Sequence, residues 1–416
     1  MVWPLVRRPL AACGLFGLAA ACGSAGTAPD GGPPPARDDA AASADASGPD
    51  GSGLADGGGP DDAAAEGTSD ANEAPPDAAP AARFVAYASG YAPAIQWLSV
   101  SAQTGALTSL SSLASFGPAP SFLAIDRATR HLYAVDESSP GQVGAYAIDP
   151  AAGALTFLGA VSSGGDGPPF VAVDGPWVLV ANYASGTVAV LPVKGDGSLG
   201  PAVDTQMAGA LAHMIVADAA NHFVFVPCKG SDYVAQYSFD ATTGKLTPNA
   251  VPHMSTAPGA GPRHLAFHPD GATAYLVDET DSTMSALALD PAQGTLSIAQ
   301  TVSTRPAGAT GPNTAAEVHV HPSGRWLFGS NRGDDTLVVF PLDASGRMGA
   351  PTFTSSGGAM PRDFALDATG TFLYAANQNS GNLVTFHFEA STGTLTPTGG
   401  VVAAPSVSFV GLAALP

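Results

Sequence analysis

The stretch GPRHLAFHPDGATAYLVDE, residues 261–279, decides the fold because it holds one complete structural unit. An apolar run at residues 265–267 is followed by a turn at 268–271, in which Pro presets φ and Gly accepts a positive φ. A second apolar run covers residues 274–277. Two short apolar runs joined by such a turn predict a β-hairpin.

Ionisable side chains flank this hairpin. Arg263 and His264 precede its first strand, and Asp278 and Glu279 follow its second. Because antiparallel strands run in opposite directions, these four positions meet at one edge of the hairpin. The stretch therefore predicts a guanidinium, an imidazole and two carboxylates close together.

The same unit recurs along the chain, and a glycine two residues before Leu or Met marks each repeat. These repeat glycines are Gly105, Gly153, Gly197, Gly244, Gly294, Gly346 and Gly393. Their spacings are 48, 44, 47, 50, 52 and 47 residues. A period of roughly 45 residues with four short strands in each repeat is typical of a β-propeller.

The number of blades follows from the two chain ends. Six complete repeats have first strands near Phe122, Phe170, Met214, Leu265, Val318 and Phe364. Residues 84–113 hold only the later strands of a unit, and residues 407–412 hold only a first strand. Joining the two ends leaves no open sheet edge. We therefore predict an all-β, seven-bladed β-propeller over residues 83–416, in which the C-terminal strand completes the first blade.

Residues 1–21 have the pattern of a signal peptide. Two Arg residues precede an apolar run at residues 9–21, which is too short to span a bilayer. Small residues then lead to Cys22, as in the bacterial lipobox, although Ala stands where Leu is usual. The pattern predicts an exported lipoprotein anchored to a bacterial membrane through lipidated Cys22. Ordinary secretion is the alternative.

Residues 22–82 are predicted to be a disordered tether. After Cys22 they are almost wholly Ala, Gly, Pro, Ser and Asp, with no Tyr, Trp, Phe, Ile or Val. Such a segment cannot bury enough apolar surface to offset its conformational entropy. A long spacer after a lipidated Cys would hold a globular head away from a membrane.

The charge balance excludes nucleic acid as a partner. Of the net charge of -20, residues 23–82 supply 12 Asp and Glu against one Arg, and the rest of the chain from residue 83 supplies 23 against 12 Lys and Arg. An acidic surface cannot provide the phosphate contacts that dominate affinity for DNA or RNA.

The cysteine and histidine patterns do not predict a metal site. Cys228 is separated from the two N-terminal cysteines, so we interpret it as a small buried hydrophobic residue. His268 and His321 each precede Pro in a turn, which favours a turn role over metal ligation. We therefore expect no metal and no organic cofactor. Because the ring closes within one chain, we also expect a monomer.

Polar residues at strand ends are predicted to ring one mouth of the central channel. In a propeller, the first strand of each blade starts at one face of the ring, and the turn after the second strand opens onto that same face. The residues at these places are Glu137, Asn182, Arg263, Glu279, Arg332, Arg362 and Gln378. At each position, a polar cap that bridges neighbouring blades is the alternative.

Several of these segments resemble the lactonase family of seven-bladed propellers. The segments GPRH at 261–264, SNRG at 330–333 and PRDF at 361–364 carry the resemblance, which runs in register from residue 83 to the C-terminus. That family includes propeller-type 6-phosphogluconolactonases and carboxy-muconate lactonizing enzymes. The resemblance implies an enzyme that opens a sugar-type lactone without a metal, with a small lactone or sugar acid as its partner.

The resemblance also implies site residues. The implied catalytic set is His213, Arg263, Glu279 and Arg332. The predicted channel mouth adds substrate-binding roles for Glu137, Asn182, His264, Arg362 and Gln378. Lactone hydrolysis needs a base that activates water, for which His213 or Glu279 is suited, and a cation that faces the oxyanion. The chain departs from the family in two places, because Leu211 replaces a His and residues 228–230 read CKG in place of Asp-Leu-Gly.

Two other functions fit the sequence. The segments LYAVD at 132–136 and LYAAN at 373–377 also resemble the YVTN repeats of bacterial surface propellers. That similarity implies a non-enzymatic protein that binds a ligand or partner at the channel mouth. Lactone formation from a muconate-type acid is the third interpretation. Convergence of the four implied catalytic side chains is the observation that bears most directly on this choice.

Overall fold

The computed structural model describes residues 83–415, so the predicted signal peptide, Cys22 and the tether lie outside the described residues. Within 83–415 the chain forms 28 β-strands and no helix. That part of the chain accordingly contains no helical segment that could cross a membrane.

The strands form seven antiparallel sheets of four strands each, which we number as blades in chain order. Blade 1 contains β1 (Arg83–Gly90), β2 (Ala94–Val100), β3 (Leu107–Ala114) and the C-terminal β28 (Val407–Leu415). Blade 2 contains β4 (Leu123–Ile125), β5 (His131–Asp136), β6 (Gln142–Ile148) and β7 (Leu155–Ser162). Blade 3 contains β8 (Phe170–Asp174), β9 (Trp177–Asn182), β10 (Thr187–Pro192) and β11 (Asp204–Met207). Blade 4 contains β12 (Val216–Ala217), β13 (Phe223–Cys228), β14 (Tyr233–Asp240) and β15 (Lys245–Ser255). Blade 5 contains β16 (Pro262–Phe267), β17 (Thr273–Asp278), β18 (Thr283–Asp290) and β19 (Thr295–Ser303). Blade 6 contains β20 (Thr314–Val320), β21 (Trp326–Arg332), β22 (Thr336–Pro341) and β23 (Thr352–Ser355). Blade 7 contains β24 (Pro361–Leu366), β25 (Phe372–Asn377), β26 (Asn382–Glu389) and β27 (Thr394–Ala403).

The hydrophobic core lies between neighbouring blades. The second strand of blade 3, β9, is buried along its whole length because blades cover both of its faces. The fourth strand of blade 7, β27, instead exposes most of its residues. One core cluster joins Tyr275 of blade 5 to Val338 and Phe340 of blade 6. Each blade is therefore held mainly by the apolar faces of the two blades beside it.

The ring closes as predicted from the sequence. The C-terminal β28 is the innermost strand of blade 1, and it pairs with all eight residues of β1 from Arg83 to Gly90. Ser408 donates a hydrogen bond to the carbonyl oxygen of Ser121 in blade 2, at 2.8 Å. The backbone N–H of Val410 donates to Asp363 of blade 7, also at 2.8 Å. The prediction of a seven-bladed propeller closed by its own C-terminal strand is confirmed.

The repeat glycines have a structural cause. All seven have a positive φ, between 62° and 83°. At Gly244, a Cβ atom would also come within 2.8 Å of the Trp177 ring in the preceding blade. Only glycine combines this backbone conformation with such close approach at low cost. The period read from the sequence therefore marks the place where each outer turn packs on a neighbouring blade.

The tyrosines of the repeat have a related role. Tyr133, in the segment LYAVD, donates a hydrogen bond to the carbonyl oxygen of Gly197 at 3.2 Å. Tyr275 donates in the same way to Gly346 at 2.8 Å. These hydroxyls lie at the centre of inter-blade contacts and satisfy turn carbonyls that packing removes from water. The repeated tyrosine is therefore an element of ring assembly.

Candidate active site

The predicted channel mouth contains a small polar pocket with a volume of about 180 Å³. Residues from six of the seven blades line it: Glu137, Pro169, Tyr183, His213, Lys229, Glu279, Arg332 and Arg362. We call this set the mouth pocket. Five of these residues, all but Pro169, Tyr183 and Lys229, were proposed from the sequence as site residues. The ring geometry thus brings together side chains that lie up to 225 positions apart in the chain, from 137 to 362.

A larger cavity elsewhere lacks the groups that chemistry would need. It has a volume of about 570 Å³ and lies beside blade 1, with Trp97 and Leu110 in its wall. Arg83 is the only ionisable residue that lines it. A base, an acid and convergent cations are found together only in the mouth pocket among the cavities described for residues 83–415.

Glu279, which directly follows β17, is held by three cations. Its carboxylate lies 2.6 Å from Lys229 Nζ, 3.1 Å from Arg332 Nη2 and 3.2 Å from Arg263 Nε. Burial acts to raise the pKa of Glu279, but the positive charges of Arg332, Arg263 and Lys229 outweigh it and lower the pKa to about 2. Glu279 is therefore a fixed anion that orders the cations, and it is poorly suited to accept a proton at neutral pH.

Arg263 lies beneath the mouth pocket and does not line it. Its side chain is 3% exposed, and its Nη1 donates to the carbonyl oxygen of Ala316 and lies 3.9 Å from a carboxylate oxygen of Glu317. Arg263 therefore joins Glu279 above to Glu317 below. Because its guanidinium is enclosed by protein groups, its contribution is to hold Glu279 in place. The proposed direct contact with substrate does not follow from this position.

Arg332, the last residue of β21, does line the mouth pocket. Its Nη2 contacts Glu279 and also donates to the carbonyl oxygen of Ala315 at 3.0 Å. Burial and the nearby Arg263 lower the pKa of Arg332 to about 10, so the guanidinium remains charged at neutral pH. Its buried Nε has no hydrogen-bond partner within the described chain. Arg332 thus presents positive charge at the pocket wall.

Among the residues that the structure describes, His213 is the only imidazole that lines the mouth pocket. It precedes the short β12, and its backbone N–H donates to the carbonyl oxygen of Pro227 at 2.9 Å. Its ring meets Tyr183 edge-on at 5.6 Å between centroids. Burial, followed by the charge of Arg263, holds the pKa of His213 well below its usual value. The imidazole is therefore neutral near pH 7 and has a free lone pair, while burial and the nearby cations make it a weaker base than an exposed histidine.

Arg362 forms the opposite rim of the pocket. Its Nη2 donates to the Tyr91 hydroxyl at 2.9 Å, and that hydroxyl donates to Glu137 at 2.8 Å. The guanidinium also lies 5.5 Å from the centroid of the Tyr91 ring. Within residues 83–415, no carboxylate lies within ion-pair distance of Arg362. This partly exposed cation is therefore available to an anionic ligand.

Three residues proposed from the sequence as substrate-binding do not line the pocket. Asn182 is fully buried, and its amide donates to the carbonyl oxygen of Ser163 at 3.0 Å, so it joins the end of β9 in blade 3 to the residue that follows β7 of blade 2. Gln378 is partly buried beside the turn that follows β25. His264 is 1% exposed and lies behind His213. For Asn182 the strand-cap alternative describes its position.

Sequence reasoning missed four residues of the site. Tyr91, Pro169 and Tyr183 lie in turns, and nothing in their local pattern separates them from other turn residues. Lys229 had a visible signal, because it stands in one of the two segments that depart from the lactonase pattern. Its Nζ lies 6.0 Å from the centroid of the Tyr183 ring and binds Glu279. The departure therefore adds a cation to the pocket.

The residues best placed to ligate a metal are already bound to other groups. Glu317, His319 and Asp363 lie on β20 and β24, with one ligand atom of each within 4.8 Å of the others. Both oxygens of Asp363 accept backbone N–H groups at 2.8 Å, and Glu317 faces His264 and Arg263. The neighbouring guanidinium opposes binding of a second cation at Glu317.

The remaining residues with possible metal chemistry have structural roles. His268 accepts the backbone N–H of Asp270 within its turn, at 3.1 Å, and His321 accepts that of Ser323 at 3.0 Å. Cys228 is fully buried, and burial raises the pKa of its thiol to about 12. These contacts agree with the turn and core roles inferred from the sequence.

A seven-bladed ring with one polar pocket at its channel mouth defines the class of this protein. The chain belongs to the lactonase family, because the family model described as "Lactonase, 7-bladed beta-propeller" matches residues 84–412. The family resemblance inferred from GPRH, SNRG and PRDF is confirmed.

Individual relatives support the same family. The chain is 34% identical over 300 residues to a 6-phosphogluconolactonase of Bacillus subtilis, covering 69% of this chain and 85% of the relative. It is 33% identical over 268 residues to a 6-phosphogluconolactonase of Pectobacterium carotovorum, covering 64% and 80%. Among solved structures, the periplasmic gluconolactonase PpgL of Pseudomonas aeruginosa is 30% identical with a TM-score of 0.75, covering 80% of this chain and 100% of that one.

Proposed function

We propose that this protein is a lactonase that hydrolyses a sugar-type lactone in the mouth pocket without a metal ion. The observation that carries the proposal is a neutral imidazole, His213, in a pocket that also presents Arg332 and Arg362. The relatives named as 6-phosphogluconolactonases and gluconolactonase support hydrolysis over a ligand-binding surface propeller. His213 is assigned as the base in preference to Glu279, because three cations stabilise the carboxylate of Glu279.

The proposed reaction uses one imidazole nitrogen twice. His213 Nε2 removes a proton from water as the water oxygen attacks the lactone carbonyl carbon. Arg332 stabilises the negative charge that develops on the carbonyl oxygen. The ring C–O bond then breaks, and the departing alkoxide takes the proton from His213. The products are an open-chain sugar acid and a neutral His213, so the residue is ready for another cycle.

The charges of the mouth pocket favour a substrate or product with an anionic group. Its cations are Lys229, Arg332 and Arg362, and its carboxylates are Glu137 and Glu279, which leaves one positive charge in excess. Arg362 is the cation without an ion pair, and its forked guanidinium is suited to a carboxylate or phosphate. We assign Arg362 to the anionic end of the ligand.

Arg362→Ala is therefore expected to weaken ligand binding more than it slows turnover. Loss of a charge-assisted contact of about 1.5–3 kcal/mol would raise KM for an anionic lactone, or the Kd of its sugar-acid product, by about 10- to 100-fold. Steady-state kinetics and product titration calorimetry measure these quantities. The matched control is Arg325→Ala, which removes an exposed arginine from the β20–β21 turn. Unchanged KM and product affinity in Arg362→Ala would contradict the assignment.

We also propose that the protein is exported, anchored through lipidated Cys22 and monomeric. The apolar segment before Cys22, the tether composition and the word "periplasmic" in the name of the similar PpgL support export. Native mass spectrometry of protein purified from membranes should find one chain per particle that begins at Cys22 and carries a lipid mass. A Cys22→Ser variant should lack that mass. A mature wild-type chain without lipid would exclude the anchor, and a multimer would exclude the monomer.

A further inference from the structure

His213 is backed by a second histidine that the reaction proposed above does not use. His264, on β16, is 1% exposed, and its ring centroid lies 5.0 Å from that of His213 with an interplanar angle of 67°. His264 therefore cannot contact a ligand in the mouth pocket directly, although it contacts the residue that can. Two histidines of neighbouring blades, 4 and 5, are stacked edge-on behind the pocket wall.

His264 Nδ1 is held by the buried carboxylate of Glu317. Its Nδ1 lies 2.8 Å from one carboxylate oxygen of Glu317 and 2.9 Å from the other. Glu317 is 5% exposed and also accepts the backbone N–H of Val318 at 3.0 Å. A carboxylate can only accept here, so His264 Nδ1 carries the proton that it donates to Glu317. His264 Nε2 is then left with a lone pair.

Each of these two rings has one buried nitrogen without a hydrogen-bond partner among residues 83–415. Neither His213 Nδ1 nor His264 Nε2 has a hydrogen-bond partner within the described chain. His213 uses Nε2 toward the pocket in the proposed reaction, which places its own proton on Nδ1. One orphan is therefore a donor and the other an acceptor. Buried groups of this kind are costly when unsatisfied, and a donor and an acceptor on rings 5.0 Å apart between centroids can satisfy each other through a ring rotation or one bridging water.

We propose that Glu317 and His264 are positioning residues for His213, forming a buried chain Glu317–His264–His213 that stabilises the imidazolium formed when His213 accepts a proton. The inference rests on the proposed function. The proton taken from water stays on His213 Nε2 and returns to the alkoxide, so no proton leaves the pocket through the chain. His213 Nδ1–H donates toward His264 Nε2, and His264 Nδ1–H donates to Glu317. The negative charge of Glu317 thus favours the protonated state of His213.

Other charged or titratable groups lie around the Glu317–His264–His213 chain. They are Arg263, Arg332, Arg362, His319 and Asp363. The arginines disfavour a positive charge on His213, as burial does. The negative charge of buried Glu317 offsets this effect of the arginines on the protonation of His213. The effect is larger here than beside an exposed histidine, because buried charges are weakly screened.

Glu317→Gln tests the chain by kinetics. The amide oxygen can still accept from His264 Nδ1, but the negative charge is lost. We expect kcat for gluconolactone to fall by about 10- to 100-fold with little change in KM, as for other partners that orient a reacting group. Without the carboxylate the pKa of His213 falls, so the acidic limb of the profile of kcat/KM against pH should move to lower pH. The matched control is Asp136→Asn, which neutralises a buried carboxylate at the end of β5 that is not part of the Glu317–His264–His213 chain.

Imidazole ¹⁵N NMR of the full-length wild-type protein tests the Glu317–His264–His213 chain without turnover. We expect His264 to be in the Nδ1–H tautomer, and the Glu317→Gln variant to bind a proton on His213 only at a lower pH than the wild type. An Nε2–H tautomer of His264, or a Glu317→Gln variant with wild-type kcat and pH profile, would overturn the proposal. If the wild type hydrolyses no lactone, the proposed function fails, and the tautomer and the titration of His213 alone decide whether the chain exists.

Discussion

His213→Gln is expected to lower kcat/KM for lactone hydrolysis by about 1,000-fold, within the usual range for loss of a general base. Gln preserves the polarity and approximate size of the side chain but cannot accept a proton from water. Binding of the sugar-acid product should change much less, because Arg362 and Arg332 remain. Acid release at constant pH, corrected for the spontaneous opening of gluconolactone, measures the rate.

The control is His222→Gln, which removes an exposed histidine from the same blade in the turn before β13. Both variants should fold, because Gln is polar and close in size to His, and its amide N–H can donate where His213 Nδ1–H is proposed to donate. His213→Gln that keeps a rate within a few fold of the wild type would assign the base elsewhere. Glu279 would then be the next group to test, despite its low pKa.

Deletion of residues 406–416 is expected to prevent stable folding. The deletion removes β28, whose pairing with β1 completes blade 1 and whose Val410 and Ser408 bind blades 7 and 2. Blade 1 would then lack its innermost strand, with the β1 edge exposed. Because domains are stable by only about 5–15 kcal/mol, loss of a whole inner strand exceeds what the remaining contacts can offset. Thermal unfolding and light scattering should report an unfolded or aggregated chain.

Removal of residues 1–82 is the matched control for this deletion. It removes far more chain but only the predicted signal peptide and tether, so the propeller should unfold at nearly the same temperature as the mature protein. A chain truncated at residue 405 that melts cooperatively at the wild-type temperature would show that closure by β28 contributes little to stability.

The fold could be predicted because each repeat contains a glycine at a position where the backbone requires a positive φ. A glycine such as Gly244 is needed wherever a positive φ coincides with close packing on a neighbouring blade. The same constraint acts once in each blade, so its period survives the variation of the surrounding sequence. Closure could be inferred for a related reason, since residues 84–113 and 407–412 are each incomplete without the other.

The site could be predicted only to the level of the channel mouth. Strand ends are visible in the sequence, but the direction of a side chain at a strand end is not. Asn182 and Glu279 both lie at the end of the second strand of a blade, yet Asn182 donates to the carbonyl oxygen of Ser163 beside blade 2 and Glu279 lines the pocket. Arg263 was correctly placed near Glu279, but its burial depends on Glu317, which lies 54 positions away in sequence.

The assignment of the base depended on contacts that the sequence does not show. His213 and Glu279 were equal candidates while only residue types were known. Lys229, Arg263 and Arg332 converge on Glu279 from three blades and keep it ionised. Within residues 83–415 no carboxylate lies within ion-pair distance of His213, and the positive charge beside this buried ring keeps it neutral. The distinction arises from spatial neighbours that are far apart in the chain.

The rate of lactone opening by the wild-type protein is the most direct test of this account. Purified full-length protein is mixed with gluconolactone and, separately, with 6-phosphogluconolactone, and acid release is followed above the spontaneous rate in buffer. We predict saturable, metal-independent catalysis of at least one of them, unaffected by a chelator and lost in His213→Gln. Rates equal to buffer on both lactones, with a sugar acid still bound at the mouth pocket, would contradict the account and leave a ligand-binding propeller.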